Sequence, residues 1–163
     1  RPLKIEGFVF VSSPNAVTPF HMDPEHNVLC QIQGSKTMWL WPRTGGVPVS
    51  HRDLEAYYTE NAEPPYPDGY VESLGRPHTI GPGDGLFVPI TAPHWVKNGP
   101  EVSISFSATW RTADSERRES LYRFNRRLRE AGLAPEPPGH SLVRDQLKYA
   151  VYRGLRRVET RSK

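Results

Sequence analysis

The chain has 163 residues, 36% of them apolar and 24% charged, and a formal net charge of +3. The small total divides unevenly: residues 1–110 carry 7 basic and 11 acidic groups, residues 111–163 carry 14 and 7, so an acidic body precedes a basic tail. Apolar runs are too short for a membrane-spanning helix, no secretory leader is visible, and the single Cys30 excludes a disulfide framework and Cys-rich zinc modules and suits a reducing cytoplasm.

In chain order, Phe8 to Val11 reads as a short strand ended by Ser12-Ser13-Pro14-Asn15. Val28 to Trp41 is a longer β-rich stretch broken at Gly34-Ser35. Residues 43–78 are irregular, with a short helix over Asp53–Tyr58 and a proline-rich loop at 63–69. Gly85 to Pro89 follows the turn Gly81-Pro82-Gly83-Asp84. Val102 to Ser107 alternates apolar and polar residues, the pattern of a half-buried strand. Seventeen prolines, mostly at turns, argue against long helices in this half. Ser115–Ala131 then places Leu121, Phe124, Leu128 and Ala131 at helical spacing, with Gly132 as its stop. A stiff linker, Ala134–Gly139, leads to a second helix over Leu142–Val158. The reading is a mainly β sandwich or barrel over 1–110 and two amphipathic helices over 111–163.

The chemistry sits in Thr18-Pro19-Phe20-His21-Met22-Asp23. A histidine and an aspartate two apart on a strand point the same way and can reach one metal ion together. An H-x-D pair alone is a weak signal; a surface histidine beside a turn aspartate gives the same letters. His94 is the best third ligand, because a Gly-Asp turn, an apolar strand and a proline precede it as in a return strand. Two histidines and one carboxylate form the facial triad of non-haem Fe(II) oxygenases. The usual cosubstrate of such enzymes, 2-oxoglutarate, needs a cation for its distal carboxylate inside an apolar barrel. Lys36 shares strand parity with Met38 and Leu40 and is the candidate; the plainer alternative is a lysine on an exposed edge. His26, His51, His78 and His140 read as structural or solvated, and Trp39, Trp41, Trp95 and Trp110 as core bulk rather than a substrate platform.

Two blocks carry a resemblance. NAVTPFHMDPEHNVLCQIQGSKTMWLWP (residues 15–42) and PGDGLFVPITAPHWVKN (residues 82–98) resemble the JmjC and cupin-like 2-oxoglutarate oxygenases, the asparaginyl hydroxylase branch in particular, over about residues 8–110. The resemblance implies a double-stranded β-helix (jelly-roll) barrel that hydroxylates a C–H bond of a protein side chain or small molecule, with succinate and CO2 as co-products. It implies Fe(II) on His21, Asp23 and His94. It implies 2-oxoglutarate on Lys36 and Thr18, with Asn27 close by. Ser107 stands where the branch has asparagine; the plainer reading makes Ser103, Ser105, Ser107 and Thr109 the polar side of a half-buried strand. Family members usually have a further segment before the first barrel strand, and this chain begins almost at that strand. The branch also implies a homodimer through the C-terminal helices. The competing reading is a cupin that holds a metal without a cosubstrate, or an isomerase; neither needs Lys36 or Thr18. The tail arginines Arg117, Arg118, Arg123, Arg126, Arg127 and Arg129 spread round a helix, so neither nucleic acid nor a membrane is the expected partner, and the expected compartment is the cytoplasm.

Overall fold

The computed structural model describes residues 1–42 and 49–161; residues 43–48, the start of the stretch expected to be irregular, lie outside the described residues, as do 162–163. Two compact units result: Arg1–Ser50 with Glu63–Thr112, and His51–Ala62 with Ala113–Lys163. The elements in order are β1 (Pro2–Ser12), β2 (Val17–His21), β3 (His26–Gln33), β4 (Lys36–Leu40), α1 (His51–Glu60), α2 (Gly69–Glu72), β5 (Arg76–Ile80), β6 (Gly85–Val88), β7 (His94–Asn98), β8 (Ser103–Thr112), α3 (Ala113–Glu130) and α4 (Leu142–Arg161).

The strands form two four-stranded antiparallel sheets, ordered β1-β8-β3-β6 and β2-β7-β4-β5. The chain crosses repeatedly from one sheet to the other, the jelly-roll topology of a cupin double-stranded β-helix. Leu29 and Val88 of the first sheet pack with Met38, Ile80 and Val96 of the second, joined by Ala92. These are the inward positions of strands with period two. The β3–β4 turn needs Gly34: its φ is +66°, and a Cβ there would lie 2.6 Å from the Val102 carbonyl oxygen. The residues around His78, read as loop, form β5, which pairs with β4 along its whole length.

The alternating strand β8 is inverted relative to the plainer expectation. Ser103, Ser105, Ser107 and Thr109 are buried, whereas Phe106 is 40% exposed on the outer face. Gln31 of β3 supplies the reason. Its Nε2 donates to Ser103 Oγ (2.9 Å) and to the Gln33 carbonyl (2.6 Å), and its Oε1 accepts from Ser105 Oγ (2.8 Å). A buried hydroxyl is tolerated when it is hydrogen-bonded. Of the tryptophans, Trp41 is core; Trp39 and Trp95 stack at 3.9 Å and are half-buried, and Trp110 stacks on His26 at 5.6 Å.

In the helical unit, α3 ends in a Schellman motif: Gly132 has φ +81°, and the Gly132 and Leu133 N–H groups donate to the Arg129 and Leu128 carbonyls. Arg129 of α3 donates to the buried Glu55 of α1 at 3.0 Å, Arg126 pairs with Glu60 and Glu130, and Arg127 with Glu159. Arg117 lies over the Tyr149 ring and Arg118 over Tyr122. These five arginines are thus engaged within the unit. Helix α4 buries Tyr152 and Asp145, while Leu142, Val143, Leu147, Val151, Leu155 and Val158 remain 43–76% exposed. Among the described residues no helix is long and apolar enough to cross a membrane.

Candidate metal centre

The last residue of β2 and the first of β7 lie opposite each other, so His21 and His94 are register partners. Their rings are 4.2 Å apart. Asp23 follows two residues after His21, past the end of the strand, and its carboxylate faces both: Oδ1 is 3.9 Å from His21 Nε2 and Oδ2 is 3.7 Å from His94 Nε2. Each imidazole donates its Nδ1–H to a carbonyl two residues back, His21 to Pro19 (2.7 Å) and His94 to Ala92 (2.9 Å). A carbonyl can only accept, so each Nδ1 carries a proton and Nε2 is the ring atom turned toward Asp23. His94 is 3% exposed. Burial first, and the neighbouring His21 second, push its pKa below the ordinary histidine range, outweighing the Ala92 bond and Asp23, which act the other way. It is therefore neutral near pH 7, the ligating form.

The three ligand atoms lie within 4.8 Å of one another. Ligands at right angles about one ion, with bonds of about 2.1 Å, would stand about 3 Å apart, so closure by up to about 2 Å gathers them. Two imidazoles and one carboxylate fit Fe(II), with coordination positions left for other molecules. Among the described residues this is the one cluster of its kind; His26, His51, His78 and His140 do not join it.

Lys36 opens β4, between Asn98 of β7 and Ile80 of β5. Residues 94, 96 and 98 of β7 alternate onto one face, so Lys36 looks to the same side as His94, two rows away. It is 6% exposed and makes no hydrogen bond or ion pair among the described residues. Burial lowers its pKa with no charged neighbour offsetting the shift. The edge-exposed alternative for Lys36 is thereby excluded. Thr18 pairs with Val96 in the row between Lys36 and His94, on the same face, and is solvent-accessible. Asn27 and Ser107 sit on the facing sheet and are joined to each other, Ser107 Oγ donating to Asn27 Oδ1 at 2.7 Å; no hydrogen bond ties them to the histidines.

Two features here have no sequence signal. Glu63, in the proline-rich loop, accepts a hydrogen bond from Met22 N–H at 3.3 Å. Tyr66 of that loop packs edge-on against Phe20 (5.3 Å), which also meets Trp41 (5.2 Å).

JmjC domain-containing protein D of Dictyostelium discoideum is 30% identical over 115 residues, 63% of this chain and 24% of that protein, so the chain spans about a quarter of this relative's length. Among solved structures, a DMSP lyase from Ruegeria pomeroyi is 16% identical with a TM-score of 0.42, over 67% of this chain and 39% of that one. An RmlC-like cupin with a double-stranded β-helix fold from Methanocaldococcus jannaschii is 14% identical with a TM-score of 0.42, over 65% and 69%. The cupin-like domain profile matches residues 3–116, from the first strand through the last and including His21, Asp23, Lys36 and His94, and the chain therefore belongs to the cupin-like domain family.

Proposed function

We propose that this chain is an Fe(II)- and 2-oxoglutarate-dependent dioxygenase of the asparaginyl hydroxylase type, hydroxylating a C–H bond of a protein side chain or small molecule. The observation that carries the reading is a His-Asp-His donor set on the same inner face as a buried lysine without a carboxylate partner among the described residues. His21 Nε2, His94 Nε2 and the Asp23 carboxylate would hold the iron. Bound Fe(II) supplies the coupling of O2 reduction and 2-oxoglutarate decarboxylation to oxygen insertion, so that 2-oxoglutarate, O2 and R–H become succinate, CO2 and R–OH. Lys36 offers its ammonium to the distal carboxylate, and the resulting ion pair ends the unpartnered state of a buried charge. The Thr18 hydroxyl stands in the row between and can donate to the same carboxylate. Asn27 lies on the facing sheet, its Oδ1 taken by Ser107. Met38, Val96 and Leu29 keep the wall between these polar groups apolar.

The test is anaerobic addition of Fe(II) and 2-oxoglutarate to the purified chain, followed by air. The expected results are a visible metal-to-ligand charge-transfer band and then succinate release. Metal binding without the band would favour the cupin that needs no cosubstrate.

A second copy is the proposed cover for α4. Its apolar stripe points away from the buried Tyr152 and Asp145, and Gly154 within the stripe has no neighbour within 4 Å of a Cβ position, which leaves room for close helix approach. Leu147→Glu is expected to give a monomer in sedimentation velocity. Both acidic residues of α4, Asp145 and Glu159, are engaged within the chain, and the rest of its charge is basic. Added salt should therefore tighten self-association by screening arginine repulsion.

A further inference from the structure

Two independent contacts fasten the proline-rich loop to the strand end that carries two of the three candidate ligands. The Met22 peptide N–H, between His21 and Asp23, donates to Glu63 Oε2 at 3.3 Å, across 41 residues of sequence. Three residues beyond Glu63, Tyr66 meets Phe20, the residue before His21, and its hydroxyl donates to Glu72 of α2 at 3.2 Å. The sheet does not set this geometry alone. The β2–β7 register shifts between Thr18 and His21, and His21 is the last paired residue. Met22 and Asp23 lie past the ladder, where Thr91 N–H holds the Asp23 carbonyl at 2.9 Å. The angle at which the His21 and Asp23 side chains diverge depends on how the Met22 peptide is held.

We propose that Glu63 is a positioning residue for the metal centre: by accepting the Met22 N–H it fixes the peptide from which His21 and Asp23 diverge. This rests on the reading of that cluster as a metal site. Glu63 acts through the backbone and is not a ligand; its carboxylate lies outside the cluster of ligand atoms. Outer groups that orient ligands are worth about 10–100-fold in metal affinity.

The test uses the full chain and Co(II) alone as probe, with amide exchange at Met22 read on the metal-free protein. Glu63 is exposed, so its replacement leaves the core intact. Glu63→Ala is expected to weaken Co(II) binding about 10-fold, to alter the Co(II) d–d spectrum and to speed Met22 exchange. Glu63→Gln keeps an acceptor oxygen and is expected to restore all three. Wild-type affinity in Glu63→Ala, or equal losses in both variants with Met22 exchange unchanged, would overturn the positioning role while the metal centre stands. A wild-type chain that binds no Co(II) overturns the metal centre, and the positioning role with it.

Discussion

Replacing His94 with alanine is expected to lower the affinity for Fe(II) or Co(II) by at least about 100-fold, since on the proposed reading it removes one of three protein ligands from an open site. Asp23→Ala and His21→Ala should do the same, whereas His26→Ala, stacked on Phe87 and Trp110 away from the cluster, should leave the affinity unchanged. Isothermal titration with Co(II) makes the comparison. The losses should not add when two ligands are removed together, because a site with two ligands already fails as a unit. His94 is the most informative of the three. It is almost wholly buried, and its ring is held by the turn just before its strand through the Ala92 carbonyl, so its Nε2 is aimed before any metal arrives. Equal affinity in His94→Ala would remove the triad from this molecule.

Lys36→Met should separate binding from stability. Loss of one partner of a buried ion pair costs about 3–5 kcal/mol, which corresponds to a rise in the 2-oxoglutarate dissociation constant of about 100-fold or more. The ligand-free variant should nevertheless melt higher than the wild type, because it no longer buries a cation without a counter-charge. A lysine serving only structure would lose stability instead. The pH dependence has a definite sign. The folded-state pKa of Lys36 lies below 10.5, so between that value and 10.5 the unfolded chain binds the extra proton. Wild-type ligand-free stability therefore gains from Lys36 as pH rises through this window, and loses that contribution as pH falls through the folded pKa. Affinity for 2-oxoglutarate is expected to run oppositely and weaken as pH rises, since on the proposed reading only the ammonium pairs with the distal carboxylate. Lys36→Met should show neither trend.

Much of this was legible because the informative residues sit on strands. Period-two alternation tells which residues share a face, so Lys36 could be grouped with Met38 from spacing; the same rule paired Asp23 with His21, although Asp23 lies just past the end of β2 and meets His21 from the turn that follows it. The joint spacing of two blocks then brought His94 to them, and the register pair His21–His94 is its structural counterpart. Strand β5 was hidden because Arg76-Pro77-His78-Thr79-Ile80 has little apolar content; pairing with β4, rather than propensity, makes it a strand. The orientation of β8 was hidden for a related reason. Alternation says that serines and apolar residues face opposite ways, but only Gln31 and Asn27 on the neighbouring strand show which way is inward. Glu63 could not be found at all, because its partner is a backbone N–H 41 residues away and a backbone donor leaves no trace in the letters.

The inverted strand β8 reaches beyond the site, into the calorimetry of the whole chain. Unfolding would wet Ser103, Ser105, Ser107 and Gln31, and polar hydration lowers the heat capacity. Val9 and Val11, on the other side of that sheet, already meet water in this chain and add little on unfolding, and Phe106 meets it in part. Both effects pull the heat-capacity increment below the usual 12–15 or so cal/mol/K per residue. The free energy of folding should accordingly be a shallow function of temperature, with a broad maximum and cold and heat denaturation set far apart.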